Sequence, residues 1–138
     1  NALAVRTNMF GPSRTPGRGS LSDFVSQSLA DGKSVTLFRD VLFSPLHMTS
    51  LAALVFEMIE QGLSGTFNLG CREGMSKSDF GLAVAAHLGL GTERVTIGDS
   101  TALPSRAPRT LDLRLDVRRI EQALGHAMPT LKEEIAKL

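Results

Sequence analysis

The sequence contains no tryptophan, no tyrosine and one cysteine. Its seven phenylalanines are scattered and its formal net charge is +1, so it has neither the stacking platform nor the basic surface that DNA or RNA requires. Nucleic acid is therefore not an expected partner. No apolar run approaches the ~20 residues that cross a bilayer, which removes a membrane span as well. Cys71 has no second cysteine to pair with and no signal peptide is visible, so the expected compartment is a reducing cytoplasm. Among the three histidines no pair has metal-ligand spacing with a third donor, and no metal site is expected. What remains is 138 residues of globular composition, 42% hydrophobic and 21% charged, enough for one domain with its own core.

The chain opens with NALAVRTNMFGP, an apolar run from Ala2 to Val5 that stops at Gly11-Pro12. Being apolar on both faces, the run reads as a central parallel strand covered by helices on each side. The Gly- and Pro-rich GPSRTPGRG is a loop. From Ser20, a helix is predicted with Leu21, Phe24, Val25, Ser28 and Leu29 on one face, capped by Ser20 or Ser22 and stopped at Gly32. SVTLF reads as a strand. A second helix follows with Thr49 as N-cap, Leu51, Leu54, Val55, Met58 and Ile59 at helical spacing, and Gly62 at its end. GTFNLG is a strand, and SKSDFGLAVAAHLG is a helix with Phe80, Val84, His87 and Leu88 on one side. RVTIG is a further strand, DSTALPSRAPR a polar loop, TLDLRLD an extended stretch, and VRRIEQALG a helix. An amphipathic segment through Leu131, Ile135 and Leu138 closes the chain. Short strands alternating with helices of about a dozen residues predict an α/β fold with parallel pairing.

The series VRTNMFGP, LFRDVLFSPLHMTSLAALV, SGTFNLG, MSKSDFGLAVAAHLGL and APRTLDLRLD runs over essentially the whole chain. In order and spacing it resembles the C-terminal portion of the extended short-chain dehydrogenases/reductases, closest to the dTDP-4-dehydrorhamnose reductase type. Family members often carry Arg-Pro with a Leu-Asp ending seven residues past that Arg. Arg109 with Leu115-Asp116 keeps the spacing, with Thr110 in place of the proline. The resemblance implies the C-terminal part of a Rossmann-type fold, a small mixed sheet with helices. Residues 1–10 would be the last part of the Rossmann sheet and 20–138 the sugar-nucleotide-binding region. The chain would then start about halfway through a protein of twice its length, and the partner expected first is the missing N-terminal Rossmann half. An apolar face around Ala2, Leu3, Ala4 and Val5, left uncovered, makes a homo-oligomer the second.

The family reduces or rearranges nucleotide sugars with NAD or NADP, held by a Gly-rich turn and worked on by a Tyr and a Lys four residues later. This chain has no tyrosine and no such turn between a strand and a helix. The resemblance therefore implies a substrate-binding half for a nucleotide sugar, inactive by itself, with the dinucleotide held mainly by the other half. A non-catalytic regulatory relative, a nucleotide-sugar epimerase or dehydratase, and a free-standing interaction module are the rival readings.

The same resemblance places Asn8 and Phe10 at the nicotinamide, with Asn8 also at the sugar; alternatively, Asn8 is a turn residue bonding local backbone. It places Arg109 on the nucleotide's diphosphate, with Arg106 three residues earlier as a second candidate; a solvated loop arginine is the alternative. Asp40, Ser44 and Pro45 read as a structural turn, with Ser44 lining the sugar pocket as the functional alternative. Arg14 and Arg18 read as solvated, His87 as a core or edge residue, and Cys71 as structural. Asp112 and Asp116 alternate with leucines and read as the polar face of an extended stretch.

Overall fold

A computed structural model describes residues 2–102 and 110–138. Strand β1 (Leu3–Thr7) runs almost directly into the two-residue β2 (Met9–Phe10), after which Gly11, at φ +128°, turns the chain away. Helix α1 (Leu21–Ala30) begins at Ser20, whose hydroxyl accepts the Asp23 N–H at 3.2 Å while the Asp23 carboxylate accepts the Ser20 N–H at 2.9 Å. This reciprocal capping satisfies two otherwise orphaned donors. Ser22 and Val25 are buried, whereas Phe24, expected inward, is 50% exposed. The inward position goes to Ser22 because its hydroxyl is needed as the acceptor for the Gly11 N–H.

In β3 (Val35–Phe38), buried Val35 and Leu37 alternate with exposed Thr36. The stretch RDVLFSPLHM, for which the sequence suggested a turn but no strand, contains β4 (Leu42–Phe43) and β5 (Leu46–His47) and leads into α2 (Met48–Glu60). The N-cap is His47, not Thr49: His47 has extended backbone and its Nδ1 accepts the Thr49 N–H at 3.3 Å. Leu54 and Met58 are buried, and Ile59 in the last turn is exposed. After β6 (Gly65–Leu69) and β7 (Met75–Ser76), Ser76 caps α3 (Lys77–His87). The buried face of α3 is Phe80, Gly81, Val84 and Ala85, and both His87 and Leu88 turn outward. Gly81 explains the rotation. A Cβ there would fall 2.4 Å from Leu37 Cδ1, so the helix seats on β3 through its smallest residue. β8 (Val95–Gly98), a single 3-10 turn at Ser100–Ala102, β9 (Asp112–Leu113), α4 (Arg118–Leu124) and α5 (Leu131–Ile135) complete the order.

β1 pairs in parallel with β6, β2 with β5, and β3 with β8. β4 lies between antiparallel β7 and parallel β9, the mixed part of the fold. Parallel pairs need covering layers, and α1 and α3 pack together on β3 while α4 lies over β6. Phe10, Phe43 and Phe80 meet edge to face at the centre, with ring centroids 4.9 and 5.2 Å apart. β1 is parallel as expected but not covered on both sides. Among the described residues it has β6 alone as neighbour, and Ala2 and Ala4 are exposed. No described helix is long and apolar enough to cross a membrane.

Candidate functional site

In open α/β sheets, ligands bind beyond the carboxyl ends of the strands, because loops there converge without crossing. Here those ends deliver Asn8 after β1, Arg39 and Asp40 after β3, Gly70 and Cys71 after β6, and Asp99 and Ser100 after β8. The β3 and β8 ends are bolted together. Arg39 forms a two-pronged ion pair with Asp99, both contacts at 2.9 Å. Asp40 accepts the Ser100 N–H at 2.9 Å and also takes the Ser100 hydroxyl and the Thr101 N–H. These amide donors hold its carboxyl below the usual carboxylate range. Asp40, read from the sequence as part of a structural turn, thus has a structural role.

Residues 112–116 form a strap fastened by three side chains. Asn8 Nδ2 donates to the Leu113 carbonyl at 3.2 Å, the Ser44 hydroxyl accepts the Leu115 N–H at 3.0 Å, and Asn68 Nδ2 donates to the Asp116 carbonyl at 3.1 Å. The segment that carries Arg106 and Arg109 is thus preceded by a turn clamped at the β3–β8 end and followed by a strap clamped at the β1–β6 end. Arg106 and Arg109 themselves lie outside the described residues. Beside the strap is a cleft of about 650 Å³ lined by Ser44, Arg72, Glu73, Asp112, Arg114 and Asp116, among others. Its charges are paired locally: Arg114 holds Asp112 at 2.7 Å, Arg118 lies against Asp116, and both carboxyls are lowered to about 2, chiefly by those side-chain hydrogen bonds. Both therefore stay ionised at any physiological pH.

Of the expected residues, Asn8 and Ser44 come together on the strap. Phe10 is separate, because its ring is 1% exposed in the core and only its backbone reaches the turn. Two buried side-chain atoms have no hydrogen-bond partner among the described residues, Asn8 Oδ1 and His47 Nε2. Ser44 is spoken for. Replacing it with alanine leaves the half-buried Leu115 N–H without its acceptor, and urea unfolding is expected to show a loss of about 1–2 kcal/mol. A loss under about 0.5 kcal/mol contradicts the clamp. Cys71 is buried, its thiol donates to the Pro45 carbonyl, and burial raises its pKa to about 12, so it is no nucleophile. No cluster of three metal-ligand side chains occurs among the described residues. Sequence reasoning missed Asn68, although an asparagine inside a strand is disfavoured and was the available signal.

Parallel strands with clamped carboxyl-end loops and a polar cleft beside them are the framework of a ligand-binding α/β domain. The chain belongs to the family described as the RmlD substrate binding domain, whose model matches residues 3–138. A curated relative, the probable low-salt glycan biosynthesis reductase Agl14 of Haloferax volcanii, is 31% identical over 135 aligned residues, covering 88% of this chain and 42% of that protein. The fold matches dTDP-4-dehydrorhamnose reductase from Bacillus anthracis, solved in complex with NADP, with a TM-score of 0.84 at 15% identity over 98% of this chain and 47% of that one. It also matches the Yersinia enterocolitica enzyme of the same description, with a TM-score of 0.83 at 19% identity over 99% and 48% of the two chains. The chain thus spans less than half the length of these relatives.

Proposed function

We propose that this chain is the substrate-binding part of an NAD(P)-dependent nucleotide-sugar reductase of the dTDP-4-dehydrorhamnose type, located in the cytoplasm. A second, nucleotide-binding half pairs with the free edge of β1. In this reading residues 1–10 close the Rossmann sheet and 20–138 hold the nucleotide sugar. The observation that carries it is Asn8. Its Nδ2 fastens the strap while its Oδ1, buried at the carboxyl end of β1, has no partner among the described residues. A buried acceptor without a donor is costly, and a sugar hydroxyl or a nicotinamide carboxamide arriving at that strand end would satisfy it. Phe10 acts from below, its ring seating the turn that presents Asn8. Arg106 and Arg109, between the two clamped ends, meet the diphosphate, and Ser44 borders the sugar through the strap.

When bound, the dinucleotide supplies the hydride. The residues of this chain bind and orient the sugar, and the proton-donating pair belongs to the other half. Calorimetric titration of the intact protein with dTDP and with dTDP-glucose tests the reading: micromolar binding of both is expected. Failure to bind any nucleoside diphosphate or its sugar would remove it.

A further inference from the structure

Glu134 is fully buried on α5, yet its carboxylate works on another helix. Oε2 accepts the His47 N–H at 2.6 Å, and Oε1 accepts the Ser50 hydroxyl at 2.8 Å and the Lys137 ammonium at 2.6 Å. Helices α1 and α5 solve the corresponding problem within their own sequence, where a carboxylate at the third helical position takes the N-cap N–H: Asp23 for Ser20, Glu133 for Thr130. In α2 the third position is Ser50, which has no carboxylate. Glu134, 87 residues from His47, closes the box from outside.

Stability alone does not call for a charge here. Glu134 lies on the apolar stripe of Leu131, Ile135 and Leu138, where a leucine would pack at least as well, because a buried carboxylate, even one paired to the exposed Lys137, seldom outperforms apolar packing. Nor do Ser50 and Lys137 form a nucleophile and base, since both already donate to the Glu134 carboxylate. What the carboxylate fixes is His47. That residue is the register partner of Phe10 across β2 and β5, and the two rings meet edge-on at 5.5 Å. Its Nδ1 accepts from the Thr49 backbone, so Nε2 carries the ring proton in the neutral form. Nε2 lies directly beneath Gly11, where a Cβ would approach it to 3.1 Å. The Asn8 carbonyl in turn accepts the neighbouring Leu46 N–H at 3.0 Å. The whole turn from Asn8 to Gly11 rests on the segment that Glu134 pins.

We propose that Glu134 is a positioning residue for the candidate site: by holding the His47 amide from the C-terminal helix, it sets the place of the Asn8–Gly11 turn against the sugar. This rests on the function proposed above. Two double variants of the intact protein, both lacking the buried Glu134 carboxylate and its exposed partner Lys137, separate it from general packing. Glu134→Gln with Lys137→Met keeps a carbonyl acceptor for the His47 N–H, whereas Glu134→Leu with Lys137→Met removes it. The Leu variant is expected to raise KM for the nucleotide sugar about tenfold with kcat within about twofold, and the Gln variant to stay within about threefold of the parent in KM. Equal KM in the two variants, or a loss confined to kcat, overturns the proposal. If the intact protein turns over no nucleotide sugar, the proposed function falls, and the His47 amide proton in the same samples decides the inference separately. Expected is a strongly downfield resonance in the parent and the Gln variant that is lost in the Leu variant; a resonance unchanged in the Leu variant overturns it.

Discussion

Residues 1–138 alone are expected to bind NAD and NADP no more tightly than about 1 mM, while the same residues joined to the nucleotide-binding half proposed above are expected to bind in the micromolar range, a gap of about 4 kcal/mol. A dinucleotide site needs a glycine turn between a strand and a helix whose free N–H groups face the pyrophosphate. Among the described residues, the glycine-rich stretch from a strand into a helix, Gly11 to Gly19 between β2 and α1, is already filled. The Asp23 carboxylate accepts the Ser13 and Ser20 N–H groups and places a negative charge where a phosphate would sit. Gly89 and Gly91 follow a helix and lead into β8. Calorimetry on the two proteins checks the expectation. Micromolar binding by residues 1–138 alone would mean that this chain has a dinucleotide site of its own. Light scattering on the same sample has an expected result too: β1, with one edge unpaired among the described residues and Ala2 and Ala4 exposed, should drive self-association at high concentration.

In the intact protein, Arg109→Ala is expected to weaken dTDP binding roughly ten- to a hundredfold. A charge-assisted contact between a guanidinium and a diphosphate contributes about 1.5–3 kcal/mol, and the arginines described in the cleft are already engaged. Arg114 is occupied with Asp112 and Arg72 with Glu121. Arg109→Lys should recover only part of the loss, since an ammonium keeps the charge but not the two-pronged geometry. Free sugar serves as the control, because a loss seen with dTDP and not with sugar places Arg109 at the phosphates. Equal dTDP affinity in the parent and both variants removes it from the site, and an effect on stability beyond about 0.5 kcal/mol points to a structural role instead.

The longer elements were legible because their signals are local. Ser20 with Asp23 marks the start of α1, and Gly32, Gly62 and Gly89 follow α1, α2 and α3 close to where each was expected to stop. The errors arose where a distant residue decided. Phe24 and Ser22 compete for one inward position, and the Gly11 N–H, needing an acceptor, favours Ser22. Thr49 lost the cap of α2 to His47 because β5 pairs with β2 up to that residue and the His47 amide has Glu134 as its acceptor. The two-residue strands β4, β5 and β7 are too short to carry a period, so only their partners define them. Asn8 and Ser44 were singled out as candidates, but their joint fastening of the 112–116 strap depends on contacts 105 and 71 residues apart. Glu134 did leave a trace in the sequence, as a carboxylate on the apolar stripe of Leu131, Ile135 and Leu138, the position where a helix can least accommodate one unpaired.

The most direct measurement is turnover. The intact protein is mixed with NADPH or NADH and a dTDP-4-keto sugar, and the nicotinamide absorbance is followed. Expected is a steady fall that requires the nucleotide sugar, is not produced by the free keto sugar at the same concentration, and slows in Arg109→Ala through a higher KM. An intact protein that binds dinucleotide yet consumes none with any nucleotide sugar would contradict it.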